Sequence, residues 1–189
     1  MDKGVLKKQF WKDRLNAIPD PEYIHHSVLA CSKDVWTKLH LMHVTLIHKH
    51  IDVKKNNVLD LACGYGRLSK YFNNYIGVDL SPDLLAIAKR HNSTKIFLEA
   101  DGRSLPFEDK QFDWTVIVSL KVMIISNCGD TVWSEIEKEI LRVSNKCLVL
   151  EYGDLLPEAS GVSQSTNFIP NYEIIDQDKT TKHYIKFKE

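Results

Sequence analysis

From Asn57 onward, short apolar runs alternate with stretches whose apolar side chains recur every three or four positions. Val58–Cys63, Tyr75–Leu80, Ile96–Ala100, Phe112–Ser119 and Lys146–Tyr152 read as strands. Their near-unbroken apolar character predicts strands covered on both faces, as in a parallel sheet flanked by helices. Between them, Ser81-Pro82-Asp83 opens a helix that runs to about His91. A hydroxyl N-cap, a proline in the first turn and an early acidic residue all suit a helix start. Thr131–Ser144 places Val132, Ile136, Ile140 and Val143 on one helical stripe. Gly64–Asn73 reads as a loop turning into a helix.

The two ends have a different texture. Residues 1–31 are polar with scattered aromatics Phe10, Trp11 and Tyr23, and Pro19 and Pro21 cut them into short pieces. A helix is then expected, with Ser32 as N-cap, Asp34 near the positive end of the dipole and Val35, Leu39, Met42 and Leu46 at helical spacing, ending near Ile51. Gly153–Pro170 is a polar connection. Tyr172–Ile175 and Tyr184–Phe187 look like a closing antiparallel strand pair. The alternation predicts an α/β fold: a doubly wound, mostly parallel sheet of about seven strands with an antiparallel C-terminal pair, preceded by N-terminal helices.

The chemistry concentrates in Val58-Leu59-Asp60-Leu61-Ala62-Cys63-Gly64-Tyr65-Gly66-Arg67. A strand ends, a turn of small residues follows, and a helix is expected to begin. Gly64 and Gly66 allow positive φ and close approach of a ligand to the backbone. Exposed N–H groups at the next helix start favour an anionic group. In open α/β sheets ligands bind outside the carboxyl ends of the strands, which is where this turn falls. A carboxylate at Asp60 would repel a pyrophosphate but suits a ligand with an ammonium group. Asp79 ends the next strand, where a carboxylate can accept hydrogen bonds from both hydroxyls of a ribose. Asp101 ends the third, positioned to meet an adenine amino group with the backbone of Gly102 and Arg103 alongside. S-adenosylmethionine combines an ammonium, a carboxylate and a nucleoside, and so fits the whole set.

The order VLDLACGYGRLS, YIGVDLSPDLLAIAKRH, FLEADGRSLPFEDKQFDWTVIVS, EIEKEILRVSNKCLVLEY resembles the class I S-adenosylmethionine-dependent methyltransferases, and within them the large small-molecule group. The resemblance is close over about residues 55–152. It implies that Asp60, Ala62, Gly64 and Gly66 line the methionine end, that Asp79 holds the ribose, and that Leu80 packs on adenine while Asp101 meets its amino group. It further implies that Ser119 and Leu120 border the transferred methyl. The family carries glycine where Ala62 stands, and its helical segment after the fifth strand is reduced here to Leu155–Ser165. On this reading residues 1–189 are one domain: an N-terminal helical cap (1–52), a cofactor-binding core (53–152), and a loop with closing strands (153–189).

Composition narrows the partners. Lys+Arg and Asp+Glu are both 25, giving a formal net charge of zero. Nothing global therefore draws the chain to a phosphate backbone. The Pro-Pro-Tyr signature of base-amino methyltransferases is absent at Ser119-Leu120-Lys121-Val122, so DNA is disfavoured and a small-molecule acceptor is expected first, protein or RNA second. The four cysteines, Cys31, Cys63, Cys128 and Cys147, form no C-x-x-C pair. The N-terminus lacks the apolar core of a secretory signal and no run is long enough to span a membrane, so a cytoplasmic protein is expected.

Other residues carry paired readings. Phe10, Trp11 and Tyr23 are candidates for a lid over the cofactor, or simply pack the N-terminal pieces. His25, His26, His40, His43, His48 and His50 could include a general base, against the commoner outcome of structural helix histidines. No carboxylate or cysteine completes a metal site with them. Lys121, Trp133 and Glu151 lie on the expected acceptor side. No catalytic base is assigned. A nicotinamide-dependent oxidoreductase is the first rival, but G-x-G-x-x-G fails at Ser69. A non-catalytic module that binds the same cofactor for a regulatory purpose is the second.

Overall fold

The structure is a computed structural model that describes residues 9, 12, 13, 15, 16, 33–152, 173–177 and 181–187. Helix α1 is Lys33–His50, followed by β1 (Asn57–Leu61) and β2 (Asn74–Asp79). Then come α2 (Pro82–His91), β3 (Ile96–Glu99), β4 (Phe112–Val118), α3 (Lys121–Cys128) and α4 (Asp130–Val143). The chain closes with β5 (Ser144–Tyr152), β6 (Glu173–Gln177) and β7 (Thr181–Phe187). The sheet runs β3-β2-β1-β4-β5-β7-β6. The five strands β1 to β5 pair in parallel, and β7 pairs antiparallel with both β5 and β6. The parallel, doubly covered sheet expected from the apolar runs is present.

Two apolar layers sandwich it. On one face Leu46, Ile47 and Ile51 of the α1 region pack with Leu85 and Ala88 of α2 over Val58, Trp114, Val116, Leu148 and Leu150. On the other, Trp133, Ile136, Ile140 and Val143 of α4 cover Leu59, Leu61, Ile117, Cys147 and Val149. Alternation along β1 is therefore strict, with Val58 to one face and Leu59 and Leu61 to the other. Helix α2 starts as expected: Ser81 accepts the Leu84 N–H at 3.3 Å, and Pro82 occupies the first turn. No described helix is long and apolar enough to cross a membrane.

Three expectations need correction. Gly64–Asn73 does not turn into an α-helix; it contains only a 3-10 turn at Ser69–Tyr71. The i→i+3 bonds Gly66 N–H to Cys63, Ser69 N–H to Gly66 and Tyr71 N–H to Leu68 take over the backbone. Ser69 Oγ also donates to the Gly66 carbonyl at 2.7 Å, a local bond that competes with helix. Second, Lys121–Cys128 forms a helix, α3, that the pattern did not reveal. Its core Val122-Met123-Ile124-Ile125 has no polar interruption to set a period, and Leu120 caps it without a side-chain bond. Third, Ser144 begins β5 rather than ending α4. Its hydroxyl donates to Ile140 O and accepts from Thr115, stitching the helix end to β4.

Candidate active site

The strand order reverses between β1 and β4, and the turn after β1 lies at this switch point. Ala62, Gly64 and Gly66 all have left-handed φ, at 61°, 56° and 74°. For Ala62 that conformation carries a steric cost of about 1–2 kcal/mol. The two glycines differ in what surrounds them. A Cβ on Gly64 would meet no atom within 4 Å, so this residue faces open space. A Cβ on Gly66 would strike the Phe97 ring at 2.8 Å and Ala88 at 3.0 Å. Gly64 thus leaves room for a ligand, whereas Gly66 lets the turn pack on β3 and α2. Tyr65 is buried with Leu84, and Leu15 of the N-terminal segment packs on this pair.

Asp79, at the end of β2, reaches back to the turn. Its Oδ2 accepts the Gly64 N–H at 2.8 Å and its Oδ1 accepts the Ser81 N–H at 2.9 Å. Burial raises its pKa, and hydrogen bonding to the backbone N–H groups of Ser81, Gly64 and Leu80 opposes the rise. A carboxylate has about four acceptor sites, so acceptor capacity remains for a ligand. Asp60 lies deeper, only 2% exposed. Its Oδ2 accepts the Tyr75 hydroxyl at 2.7 Å. Burial lifts its pKa to about 7, against the lowering influence of Tyr75 and Arg67. Burial likewise pushes the Tyr75 hydroxyl and the Cys63 thiol well above their ordinary values.

The adenine-side candidates sit at the end of β3. Asp101 is paired with Arg103: Nη2 meets Oδ2 at 2.6 Å, and Nε lies 3.0–3.1 Å from both oxygens. The Arg103 backbone N–H also donates to Asp101 Oδ1 at 2.9 Å. Gly102 lies beneath Ile136 of α4, and Leu80 is half-buried after β2. Across the switch point Ser119 directly follows β4, with a left-handed φ of 56°. Its N–H donates to Leu150 O, and its hydroxyl is buried without a hydrogen-bond partner among the described residues. Lys121 is 8% exposed with its ammonium over the Trp133 ring, 5.5 Å from the centroid.

The structure thus joins Gly64 to Asp79 directly and sets Asp60 behind the turn, with Leu80 and Asp101–Arg103 at the ends of neighbouring strands. Phe10, Trp11, Tyr23, His25 and His26 lie outside the described residues, as does Leu155–Ser165; of Glu151 the backbone alone is described. One cluster was missed by sequence reasoning. Arg67 Nη1 is 2.9 Å from His40 Nδ1, and Nη2 is 3.0 Å from His43 Nδ1. The signal available was the i, i+3 spacing of two histidines on one helix face.

The residues suit S-adenosylmethionine on one structural ground: the open space at Gly64 adjoins a fixed carboxylate with acceptor capacity left over. Comparison with known proteins points the same way. The sequence model of the family described as "Methyltransferase domain" matches residues 58–146. A phthiotriol/phenolphthiotriol dimycocerosates methyltransferase of Mycobacterium ulcerans is 32% identical over 126 residues, 61% of this chain and 44% of that protein. A malonyl-[acyl-carrier protein] O-methyltransferase of Hamiltonella defensa is 25% identical over 142 residues, 73% of this chain and 51% of that protein. The chain thus spans about half the length, or less, of these curated relatives. A solved protein structure from Pyrococcus horikoshii superposes with a TM-score of 0.63 at 19% identity, covering 84% of this chain and 92% of that one, and shares the fold. Residues 58–146 thus match a methyltransferase-domain family, a similarity that supports a class I S-adenosylmethionine-dependent methyltransferase.

Proposed function

We propose that this chain is an enzyme that transfers the methyl group of S-adenosylmethionine to a small-molecule nucleophile. The observation that carries the proposal is the Asp79–Gly64 bond at the switch point: a buried carboxylate fixed beside an open glycine. In this reading Asp79 takes the ribose hydroxyls and Asp60 the ammonium. Ala62, Gly64 and Gly66 shape the backbone at the methionine end. Leu80 packs on adenine, whose amino group meets Asp101 with Gly102 and Arg103 alongside. Ser119 borders the methyl, and Trp11 and Tyr23 cover the site. Residues 1–52 form the cap, 53–152 the cofactor core and 153–189 the closing segment of one domain.

Bound S-adenosylmethionine supplies an electrophilic methyl on a sulfonium. The chain contributes alignment and exclusion of water, which lower the barrier without a covalent intermediate. Ser119 and the buried Lys121–Trp133 pair flank the side from which an acceptor would approach. The name of the Mycobacterium ulcerans relative supports a small-molecule acceptor. Cys63 and Cys128 are free thiols, which supports a reducing, cytoplasmic setting.

Calorimetry with S-adenosylmethionine on the wild type and Asp79→Ala tests the cofactor assignment. Tight binding lost in the variant supports it; unchanged affinity places the ribose elsewhere. Turnover is tested by S-adenosylhomocysteine formation with a metabolite pool. Binding with no product from any pool would favour a non-catalytic cofactor-binding module.

A further inference from the structure

Arg67 follows Gly66 directly and points its guanidinium at α1. Its two terminal nitrogens lie 2.9 Å from His40 Nδ1 and 3.0 Å from His43 Nδ1. A guanidinium only donates, so both Nδ1 atoms accept and both imidazoles carry their proton on Nε2. His40 Nε2 then donates to the Tyr71 hydroxyl at 2.9 Å, and Trp36 stacks on the His40 ring at 4.7 Å. His43 is fully buried and His40 is 8% exposed. These rings are uncharged in this arrangement, so the grip leaves the guanidinium charge intact. That charge acts on Asp60, inside β1, opposing the burial and the Asp79 charge that favour its protonated form.

We propose that Arg67, gripped by His40 and His43, is a positioning residue for the cofactor. It anchors the limb of the turn after Gly66 to α1 and places there a positive charge that favours the carboxylate form of Asp60, the form able to receive the ligand's ammonium. The inference rests on the assignment of Asp60 to that ammonium. The groups that face this pair are Tyr75 and Asp79 from β2, Cys63 from the turn, and His40 and His43 from α1. Acid acts on the arrangement twice. Protonating Asp60 removes the anion, and protonating either Nδ1 replaces an acceptor by a like charge facing Arg67.

The test follows the Asp60 carboxyl by carbon NMR in the ligand-free protein, together with calorimetric S-adenosylmethionine affinity, from mildly acidic to mildly alkaline pH. Arg67→Gln should move the Asp60 midpoint upward by about one pH unit, the low end for loss of a nearby opposite charge. Affinity at neutral pH should fall with it, roughly tenfold at most for a shift of that size. Arg67→Lys keeps the charge and should hold the midpoint near the wild-type value. An unmoved midpoint in Arg67→Gln overturns the inference. A second pair tests the grip on its own: His40→Gln with His43→Gln retains two carbonyl acceptors, and His40→Leu with His43→Leu removes them. Wild-type affinity at neutral pH in the first pair and weakened affinity in the second is expected; equal affinity in the two overturns the grip. Asp60→Asn separates the two readings. If it leaves affinity unchanged, the ammonium assignment fails; if it weakens binding while Arg67→Gln leaves the midpoint in place, only the Arg67 inference fails.

Discussion

The carboxylate of Asp79 accepts the backbone N–H of Gly64 at 2.8 Å, so the end of one strand holds the turn that follows its neighbour. The second oxygen is engaged by the Ser81 N–H. In Asp79→Asn one of those N–H groups must face an amide NH2, donor against donor. Leaving a buried donor unsatisfied costs about 1–3 kcal/mol. Asp79→Asn should therefore lower unfolding stability by about that amount in urea titrations, and weaken S-adenosylmethionine at the same time. Full stability with weakened binding would mean that the turn does not depend on this bond.

Asp60 makes stability depend on pH in an unusual direction for a carboxylate. Its pKa in the folded protein is raised to about 7, above its unfolded value. The unfolded chain therefore loses this proton first as pH rises, and stability falls from about pH 4 until Asp60 itself ionises near 7. Above that the contribution is flat. Asp60→Asn should remove this decline, since its carbonyl still accepts from Tyr75. Each pKa unit corresponds to about 1.4 kcal/mol. Chemical denaturation of both proteins across that window measures the difference, and parallel pH profiles would refute the raised pKa.

The three left-handed residues of the turn should respond differently to substitution. Ala62→Gly relieves about 1–2 kcal/mol of backbone strain, partly offset by the about 0.5–1 kcal/mol that glycine's greater freedom costs. A small rise in melting temperature is expected. Gly64→Ala adds strain but no clash, so the protein should fold and bind S-adenosylmethionine poorly. Gly66→Ala drives a methyl into Phe97 and Ala88, so it should unfold at markedly lower temperature. Thermal unfolding with and without ligand distinguishes the three.

Ser119 carries a buried hydroxyl with no partner among the described residues. Removing such a group relieves its desolvation, so Ser119→Ala should leave the ligand-free melting temperature unchanged or raised. If the hydroxyl meets a ligand, the same variant raises KM for the acceptor or weakens the cofactor. A lowered melting temperature without ligand would show that the hydroxyl is satisfied in the folded protein.

What the chain discloses before folding divides along range of interaction. The parallel strands and α2 are visible because both depend on local signals, continuous apolar runs and the Ser81-Pro82 start. The turn after β1 is visible as glycine spacing, but the helix expected beyond it is not there, because Ser69 and the i→i+3 bonds claim its backbone. Helix α3 escapes because an apolar run without period or cap reads equally as strand. Asp60, Asp79 and Asp101 could be picked out from their places at strand ends, yet their present partners could not. Tyr75, Gly64 and Arg103 meet them through sheet register or a tight loop. The grip of His40 and His43 on Arg67 joins positions 27 and 24 residues apart; the i, i+3 histidine spacing is local, but nothing local names Arg67 as its partner.

The left-handed bend at Ser119 separates two inheritances. Everything up to Val118 is locked by register to β1 and β5, and the peptide leaves the sheet one residue later. On the proposed assignment, alterations in the segment just after that bend, Leu120–Cys128, would remodel what reaches the methyl while leaving the paired strands intact. A library confined to residues 120–128 would therefore explore acceptor choice on a constant sheet.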